Sequence, residues 1–455
     1  MDKIKHLALT LDKSQERGYI KVPFQVEKNT ERIDIRYRYP SSPVSSEGDY
    51  CISGEPCTID LAVMLPDGTM AGASGSDRSH VWLSPLGSSA GFLSGELPEG
   101  TWHIIAGAYH VPAEGVTVEY TLEFTEKKRR LFKGDTHVHT TASDGILTPE
   151  EAAGLAKRMG LDYLFFTDHN NSAQNENLPD CDDITLLPGT EWTHYKGHAG
   201  FLGVKRAFLR PYFTGSPEET DALFREAGER GAFRIINHPF CPLVPWEWGF
   251  ALPFDGLEVW NGVMSERNER AAGWWHAQLC AGRRIPVTGG SDYHRPGLLG
   301  SLAMPCHCLY APSRSPQDLL QALRRGNGFI SYLPSGPMAD LQAEGMDGNA
   351  ASFGDFAVRG SEVSLLFTGL QAGDEIRLIT EKDTEILNAP KGAVQLMLKR
   401  NYPDALFLRL ELYRSYAPGL PPYEGPAEQS CLFWLKKERN YLKYGYYCKK
   451  GYCGI

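Results

Sequence analysis

The chain has 455 residues, 42% hydrophobic and 22% charged, an ordinary globular composition that excludes a disordered or fibrous protein and leaves room for several domains. Forty-six Lys and Arg against fifty-six Asp and Glu give a net charge of −10, which disfavours the broad basic surface of a nucleic-acid binder but not a local basic pocket. No stretch reaches the roughly 18 apolar residues of a membrane span, and the N-terminal segment has no apolar core followed by a small-residue cleavage site, so the expected setting is cytoplasmic, away from membranes.

From residue 1 to 128, short alternating runs at 32–37, 58–64, 101–106 and 116–124 are separated by turn clusters such as Pro66-Asp67-Gly68-Thr69. This spacing predicts an N-terminal antiparallel β-sandwich. The charged stretch Glu126-Lys127-Lys128-Arg129-Arg130 marks a boundary. From 129 to 335 the pattern changes to strands alternating with helices. Thr148-Pro149-Glu150-Glu151 combines an N-cap, a Pro at the first helical position and a Glu at the third, and Gly160 closes that helix before a strand at 161–167. Ser216-Pro217-Glu218-Glu219 opens a second helix ending near Gly231, with a strand at 233–237 after it. Strands at 257–260 and 285–288 flank a helix at 266–281, and Ser315-Pro316-Gln317-Asp318 opens a last helix to Arg325. Such repeated units predict the α/β class, with a parallel sheet or barrel.

Residues 336–455 return to short strand candidates (362–367, 375–379, 405–412) and end in a basic, Tyr-rich tail. They are expected to form a small C-terminal β domain, with the tail packed or frayed rather than a nucleic-acid surface. The ten cysteines include Cys306-His307-Cys308 and the pair Cys448 and Cys453. Neither group completes a four-ligand zinc site, and the thiols are read as free.

Eight of the thirteen histidines fall between His137 and His294, most where a strand candidate runs out. His137 and His139 are two apart, so on an extended strand they share one face. Alone that pair is weak evidence. Asp144, Asp168-His169, Glu191, His194, His198, His238, Asp292 and His294 follow at further strand ends, and buried imidazoles and carboxylates are costly without a shared partner. Convergence on metal offsets that cost. The donors are nitrogen and oxygen, which suits Zn²⁺, Mn²⁺ or Fe²⁺. They are too many for one ion, so two or three divalent ions are expected, with Glu191 as the carboxylate bridging two of them.

The segments GDTHVHTTASDG, FFTDHN, GTEW followed by GH, NHP and GGSDYH, in this order, resemble the PHP (polymerase and histidinol phosphatase) superfamily of metal-dependent hydrolases. The resemblance spans 131–333. It implies a distorted (β/α)₇ barrel with a trinuclear site, and the flanking β regions further resemble the branch named for a carbaryl hydrolase. Position by position it implies His137, His139 and Asp292 on a first metal, Glu191 bridging to a second completed by His198 and His238, and Asp144, His169 and His294 on a third. His198 is preferred to His194 because of the Gly197-His198 match.

Asp135 and Asp168 are candidates for orienting ligand imidazoles, and Asn170, Asn237 and Asn261 for donating to substrate oxygens. Arg295, beside His294, is the cationic candidate for a phosphate. His276 is read as packed beside Trp274 and Trp275, the cluster Trp246, Trp248 and Phe250 as core or pocket wall, and Gly289-Gly290 as allowing close backbone approach. With Glu191, Asp292 and Arg295 as catalytic residues, the expected function is hydrolysis of a small-molecule phosphate ester by a hydroxide held between metals. The alternatives are carboxyl ester or carbamate hydrolysis, and a non-catalytic, metal-stabilised binding module.

Overall fold

A computed structural model describes residues 3–40, 57–76, 78–296 and 300–415, and the short strands Glu428–Gln429 and Phe433–Lys437. Cys448, Cys453 and the basic tail lie outside the described residues. The chain forms two compact units, Met1–Arg129 and Arg130–Ile455.

Among its described residues the first unit contains nine strands: β1 (Lys3–Leu11), β2 (Tyr19–Val26), β3 (Thr30–Arg38), β4 (Thr58–Met64), β5 (Met70–Ser74), β6 (His80–Ser84), β7 (Gly87–Ser88), β8 (Gly100–His110) and β9 (Val116–Glu126). They make two antiparallel sheets, ordered β1-β9-β3-β6-β7 and β2-β8-β4-β5. Alternation explains their burial: along β4, Ile59, Leu61 and Val63 are buried while Thr58, Asp60 and Ala62 are less so. The inner faces share one core, in which Phe24, Trp102 and Ile104 of one sheet meet Ile35, Tyr120 and Leu122 of the other.

In the second unit a nine-stranded sheet is built from β10 (Arg130–Val138), β11 (Tyr163–Phe166), β12 (Thr185–His194), β13 (Gly197–Leu202), β14 (Phe233–Asn237), β15 (Gly256–Asn261), β16 (Val287–Gly290), β17 (Cys306–Ala311) and β18 (Gly328–Ser331). Its order is β16-β15-β14-β13-β12-β11-β10-β17-β18. The sheet curls until β16 returns to β10: Val138 bridges Tyr293 in parallel, and the Thr136 hydroxyl donates to the Gly289 carbonyl at 3.2 Å. A Cβ on Gly290 would stand 2.3 Å from the His137 Cβ, so only glycine fits this seam.

Four α-helices are present among the described residues: α1 (Pro149–Arg158), α2 (Pro217–Glu229), α3 (Glu266–Cys280) and α4 (Pro316–Arg325). α1 carries both halves of its capping box, and the Ser216 and Ser315 side chains cap α2 and α4. Seven regular βα units are not what this sheet shows. β12 turns back through Tyr195 and Lys196 into antiparallel β13, and β17 and β18 also run antiparallel; a two-residue turn has no room for a crossover helix. Strand β14 is joined to β15 without an α-helix.

The strands after residue 336 lie within the second unit, and their core is continuous with that of the nine-stranded sheet. Leu341, Phe353, Leu365 and Leu410 belong to the same buried cluster as Val138, Ala152, Leu164 and Phe329. The Phe353 ring lies 5.9 Å from that of Phe329 and 6.0 Å from that of Tyr310. No helix among the described residues is long and apolar enough to cross a membrane. Replacing Gly290 by Ala should strain the β16–β10 seam and destabilise the protein by about 1–3 kcal/mol, the usual cost of overpacking. Urea unfolding should show a lowered midpoint; an unchanged midpoint would mean the seam is slack.

Candidate metal centre

Strands β10, β11, β12, β14, β15 and β16 run in one direction, as their parallel pairings and the two antiparallel steps through β13 require. Their C-terminal ends therefore gather at one end of the sheet, where barrel-type enzymes place their chemistry. His137 is the last residue but one of β10 and His139 follows the strand, His169 follows β11, Glu191 lies in β12, His238 follows β14, and Asp292 and His294 follow β16. Strand β13 runs the other way, so its beginning brings His198 to the same end. Asp144 reaches in from the loop after β10.

Glu191 is completely buried at the centre. Its Oε1 faces His137 Nε2 at 3.2 Å, His198 Nδ1 at 3.3 Å and His238 Nε2 at 3.4 Å. Its Oε2 faces His169 Nδ1 at 3.0 Å and His139 Nε2 at 3.6 Å. Asp292 Oδ1 lies 3.1 Å from His139 Nε2 and 3.3 Å from His137 Nε2. Asp144 Oδ1 stands 3.2 Å from His294 Nε2 and 3.6 Å from His169 Nε2. All nine expected residues thus come together. They form four overlapping groups, each able to surround one ion: His139, Asp144, His169 and His294; His137, His238 and Asp292; His137, His139 and Glu191; and Glu191, His198 and His238. His139 joins the group of Asp144 as well as that of Glu191, a sharing the sequence does not suggest.

The surrounding residues differ more from expectation. Glu258 of β15, buried and not anticipated, accepts from His137 Nδ1 at 3.0 Å through Oε1, and through Oε2 from the His238 amide at 3.0 Å and Asn261 Nδ2 at 3.1 Å. It fixes the His137 ring so that Nε2 faces the cluster. A lone acid in the apolar run Gly256–Asn261 was the available signal. Asp135 and Asp168 touch no imidazole. Asp135 accepts from the backbone amides of His137, Ser291 and Ala303, and Asp168 from the Thr140 amide and hydroxyl and the Ser143 hydroxyl; both brace loops. The three asparagines are also spent on protein: Asn237 Nδ2 donates to Glu191 Oε1 at 2.8 Å, Asn170 Nδ2 to the Thr193 carbonyl at 3.0 Å, and Asn261 Nδ2 to Glu258.

His194 points away from the cluster. Its Nε2 lies 3.1 Å from the Thr214 carbonyl, its Nδ1 accepts from the Lys196 amide at 3.1 Å, and its ring stacks on Trp192. Register explains the choice of His198: it pairs with Thr193, which shares the inward face of Glu191, whereas His194 pairs with Gly197. Arg295 is exposed at the rim, where Nη2 donates to the Asp144 carbonyl at 3.3 Å. His276 packs against Phe407, Trp246 is buried against Trp192, and Phe250 stacks on Trp274, so these groups are core.

Burial alone would push the His137 imidazole down, but Asp292, Glu191 and Glu258 hold it well above its ordinary value. His169 and His238 are raised as well, against burial, chiefly by Glu191. Burial works against the ionised form of Glu191, yet His137 and its other imidazole neighbours hold its pKa well below the carboxylate range. The cluster therefore calls for positive charge, from protons or from metal. Geometry favours metal, because His137 Nε2, His139 Nε2 and His198 Nδ1 are buried without a hydrogen-bond partner although each stands 3.1–3.3 Å from a carboxylate oxygen. No Lys or Arg is paired with Glu191 or Asp292 among the described residues, and donors of this kind suit divalent ions.

No known family's sequence model matches the chain. Over 125 residues, 23% of the chain, it is 33% identical to the 5'-3' exoribonuclease Rnm of Salmonella typhimurium; the match covers 43% of that protein, less than half its length. It is 26% identical over 145 residues to the uncharacterised protein MJ1587 of Methanocaldococcus jannaschii, covering 28% of this chain and 81% of that one. A crystal structure from Bacteroides vulgatus, of a two-domain protein described as containing a predicted PHP-like metal-dependent phosphoesterase, is 18% identical with a TM-score of 0.39, over 67% of this chain and 95% of that one.

Replacing Glu258 by Gln should weaken metal binding about 10–100-fold by loosening His137, measured by competition with a chromogenic chelator; unchanged affinity would make Glu258 a packing residue. Ions must also displace the protons that His137, His169 and His238 hold. Occupancy should therefore fall as pH is lowered from 8 to 6, and loading at pH 7 in weak buffer should release protons. Binding without proton release would mean that these imidazoles are already neutral.

Proposed function

We propose that the chain is a metal-dependent hydrolase of the PHP superfamily, acting as a phosphoesterase on a small-molecule phosphate ester, with two or three Zn²⁺, Mn²⁺ or Fe²⁺ ions. The observation that carries this reading is the buried Glu191, whose two oxygens face different sets of imidazoles, His137, His198 and His238 against His139 and His169. A carboxylate so placed can bridge two ions. In this reading His137, His139 and Asp292 hold the first, Glu191 reaches the second with His198 and His238, and Asp144, His169 and His294 hold the third, with His139 turned toward both. The chemistry belongs to residues 129–335, with β parts on either side, in a cytoplasmic setting.

Ions at these positions would supply hydroxide at neutral pH and polarise a phosphoryl oxygen. The protein's own part is positional. Glu258 fixes the tautomer of His137, Asn237 holds Glu191 in its bridging orientation, and Asp135 and Asp168 keep the ligand loops from relaxing. Asp144, with 58% of its side chain exposed, and Asp292, with 27%, mark the open side. Arg295 stands there beside Asp144 and would meet the charged oxygens of a phosphate.

A second reading is carboxyl ester or carbamate hydrolysis, which the resemblance of the flanking β regions in the sequence to the carbaryl-hydrolase branch would imply. A purely binding role is disfavoured by the completeness of the donor set.

Elemental analysis of protein purified without chelator should find two to three ions per chain; a single ion after supplementation would end the multinuclear reading. Glu191→Gln should abolish turnover of aryl phosphates with the fold retained, and His198→Ala should lose far more activity than His194→Ala. Arg295→Met should reduce kcat/KM for a phosphate monoester by about 1.5–3 kcal/mol, the range for a charge-assisted hydrogen bond. A neutral aryl ester should be spared. Equal losses on both substrates would favour the ester reading.

A further inference from the structure

The first unit carries a second recessed surface, on the outward face of the β2-β8-β4-β5 sheet. Its cavity has a volume of about 390 Å³ and is lined by Arg17, Tyr19, Asp60, Gly107, Tyr109 and His110 among others, within the roughly 300–1,000 Å³ of small-ligand sites. The register explains how it forms. Tyr19 of β2 and Asp60 of β4 both pair with Gly107 of β8, so the three stand in one row across the outer face. Gly107 has no side chain, which leaves a notch: a Cβ there would lie 3.2 Å from the Asp60 Cβ and 3.5 Å from the Tyr19 ring. Tyr109, two residues along β8, projects from the same face.

Three features set this notch apart from an ordinary sheet surface. Tyr19 and Tyr109 are 82% and 61% exposed, so both rings meet water, and the Tyr109 ring meets that of His110 edge to face at 4.6 Å. Asp60 makes no hydrogen bond or ion pair among the described residues, although it is partly buried and its pKa is raised by that burial. The Arg17 side chain likewise has no partner among the described residues. Yet the frame is rigid: the Arg17 amide donates to the Ala108 carbonyl at 2.7 Å, the Ala108 amide to the Gly18 carbonyl at 3.0 Å, and Arg17 is held at φ 64°. Aromatic faces beside an unspent acceptor and an unspent donor group, on a backbone that need not move, describe a preformed binding site.

We propose that this face of the N-terminal unit binds a carbohydrate, separately from the metal centre. The C–H face of a pyranose carries slight positive charge and packs on the negative face of a tyrosine ring, and tyrosine offers that surface at small entropic cost. Sugar hydroxyls both donate and accept, which uses Asp60 and Arg17 together. A quaternary ammonium would use the rings and Asp60 but would be repelled by Arg17. An inorganic anion would use Arg17 but be repelled by Asp60.

The test is native affinity electrophoresis of the full-length protein in gels containing soluble xylan, mixed-linkage β-glucan, galactomannan or arabinan. At least one polysaccharide should retard the protein. The double substitution Tyr19→Ala with Tyr109→Ala should weaken that retardation at least roughly tenfold, as loss of aromatic anchors does, with aryl-phosphate hydrolysis unchanged. Asp60→Asn and Arg17→Ala, conservative at the surface, should each weaken it too, and serve if the tyrosine variant misfolds. Absence of retardation in all four gels, retardation that survives these substitutions, or protection by tetramethylammonium in place of sugar would overturn the proposal.

Discussion

The second unit is organised around the burial of one carboxylate. Removing Glu191 from water costs several kcal/mol unless positive charge surrounds it, and the five imidazoles that face it come from four separate segments of chain. They can meet only if the strands that carry them end on the same side, which is what the shared direction of β10, β11, β12, β14 and β16 provides. The reversed strand β13 fits this logic, since it delivers His198 from its beginning. The glycine seam at Gly290 follows as well, because β16 must approach β10 closely enough for Asp292 to face His137 and His139.

Positions at the centre are held by residues outside the cluster itself. His238, Asp292 and Asn170 have positive φ values of 27°, 53° and 51°, conformations that cost non-glycine residues of order 1–3 kcal/mol each. The strain is tolerated because neighbouring bonds leave no alternative: the His238 amide is tied to Glu258, the chain next to Asp292 to Asp135, and Asn170 to Thr193. A site fixed this way needs little reorganisation on binding charge, the property that makes electrostatic catalysis effective.

The contrast between the clustered residues and their braces also shows what a sequence can disclose. The nine clustered residues were legible because H-x-H spacing, strand ends and the ordered motifs all point to the same places. Helices α1, α2 and α4 were legible from their caps. Glu258 was not, since a single acid in an apolar strand has no spacing signature and its value appears only when the curled sheet brings it to His137. Asp135 and Asp168 were misread for a related reason: adjacency in sequence to a ligand histidine says nothing about which atoms a carboxylate meets, and both turn to backbone amides. The hairpin of β12 and β13 and the antiparallel strands β17 and β18 were hidden because short apolar runs do not reveal strand direction.

The continuous core that joins residues after 336 to the nine-stranded sheet bears on biosynthesis. A chain emerging from the ribosome presents the face made by Ala152, Leu164 and Phe329 well before Phe353, Leu365 and Leu410 exist to cover it. The sheet that gathers the residues around Glu191 must therefore wait, partly uncovered, for later segments. Nascent chains stalled near residue 335 should be clients of holding chaperones, and a gene cut there would yield an insoluble product.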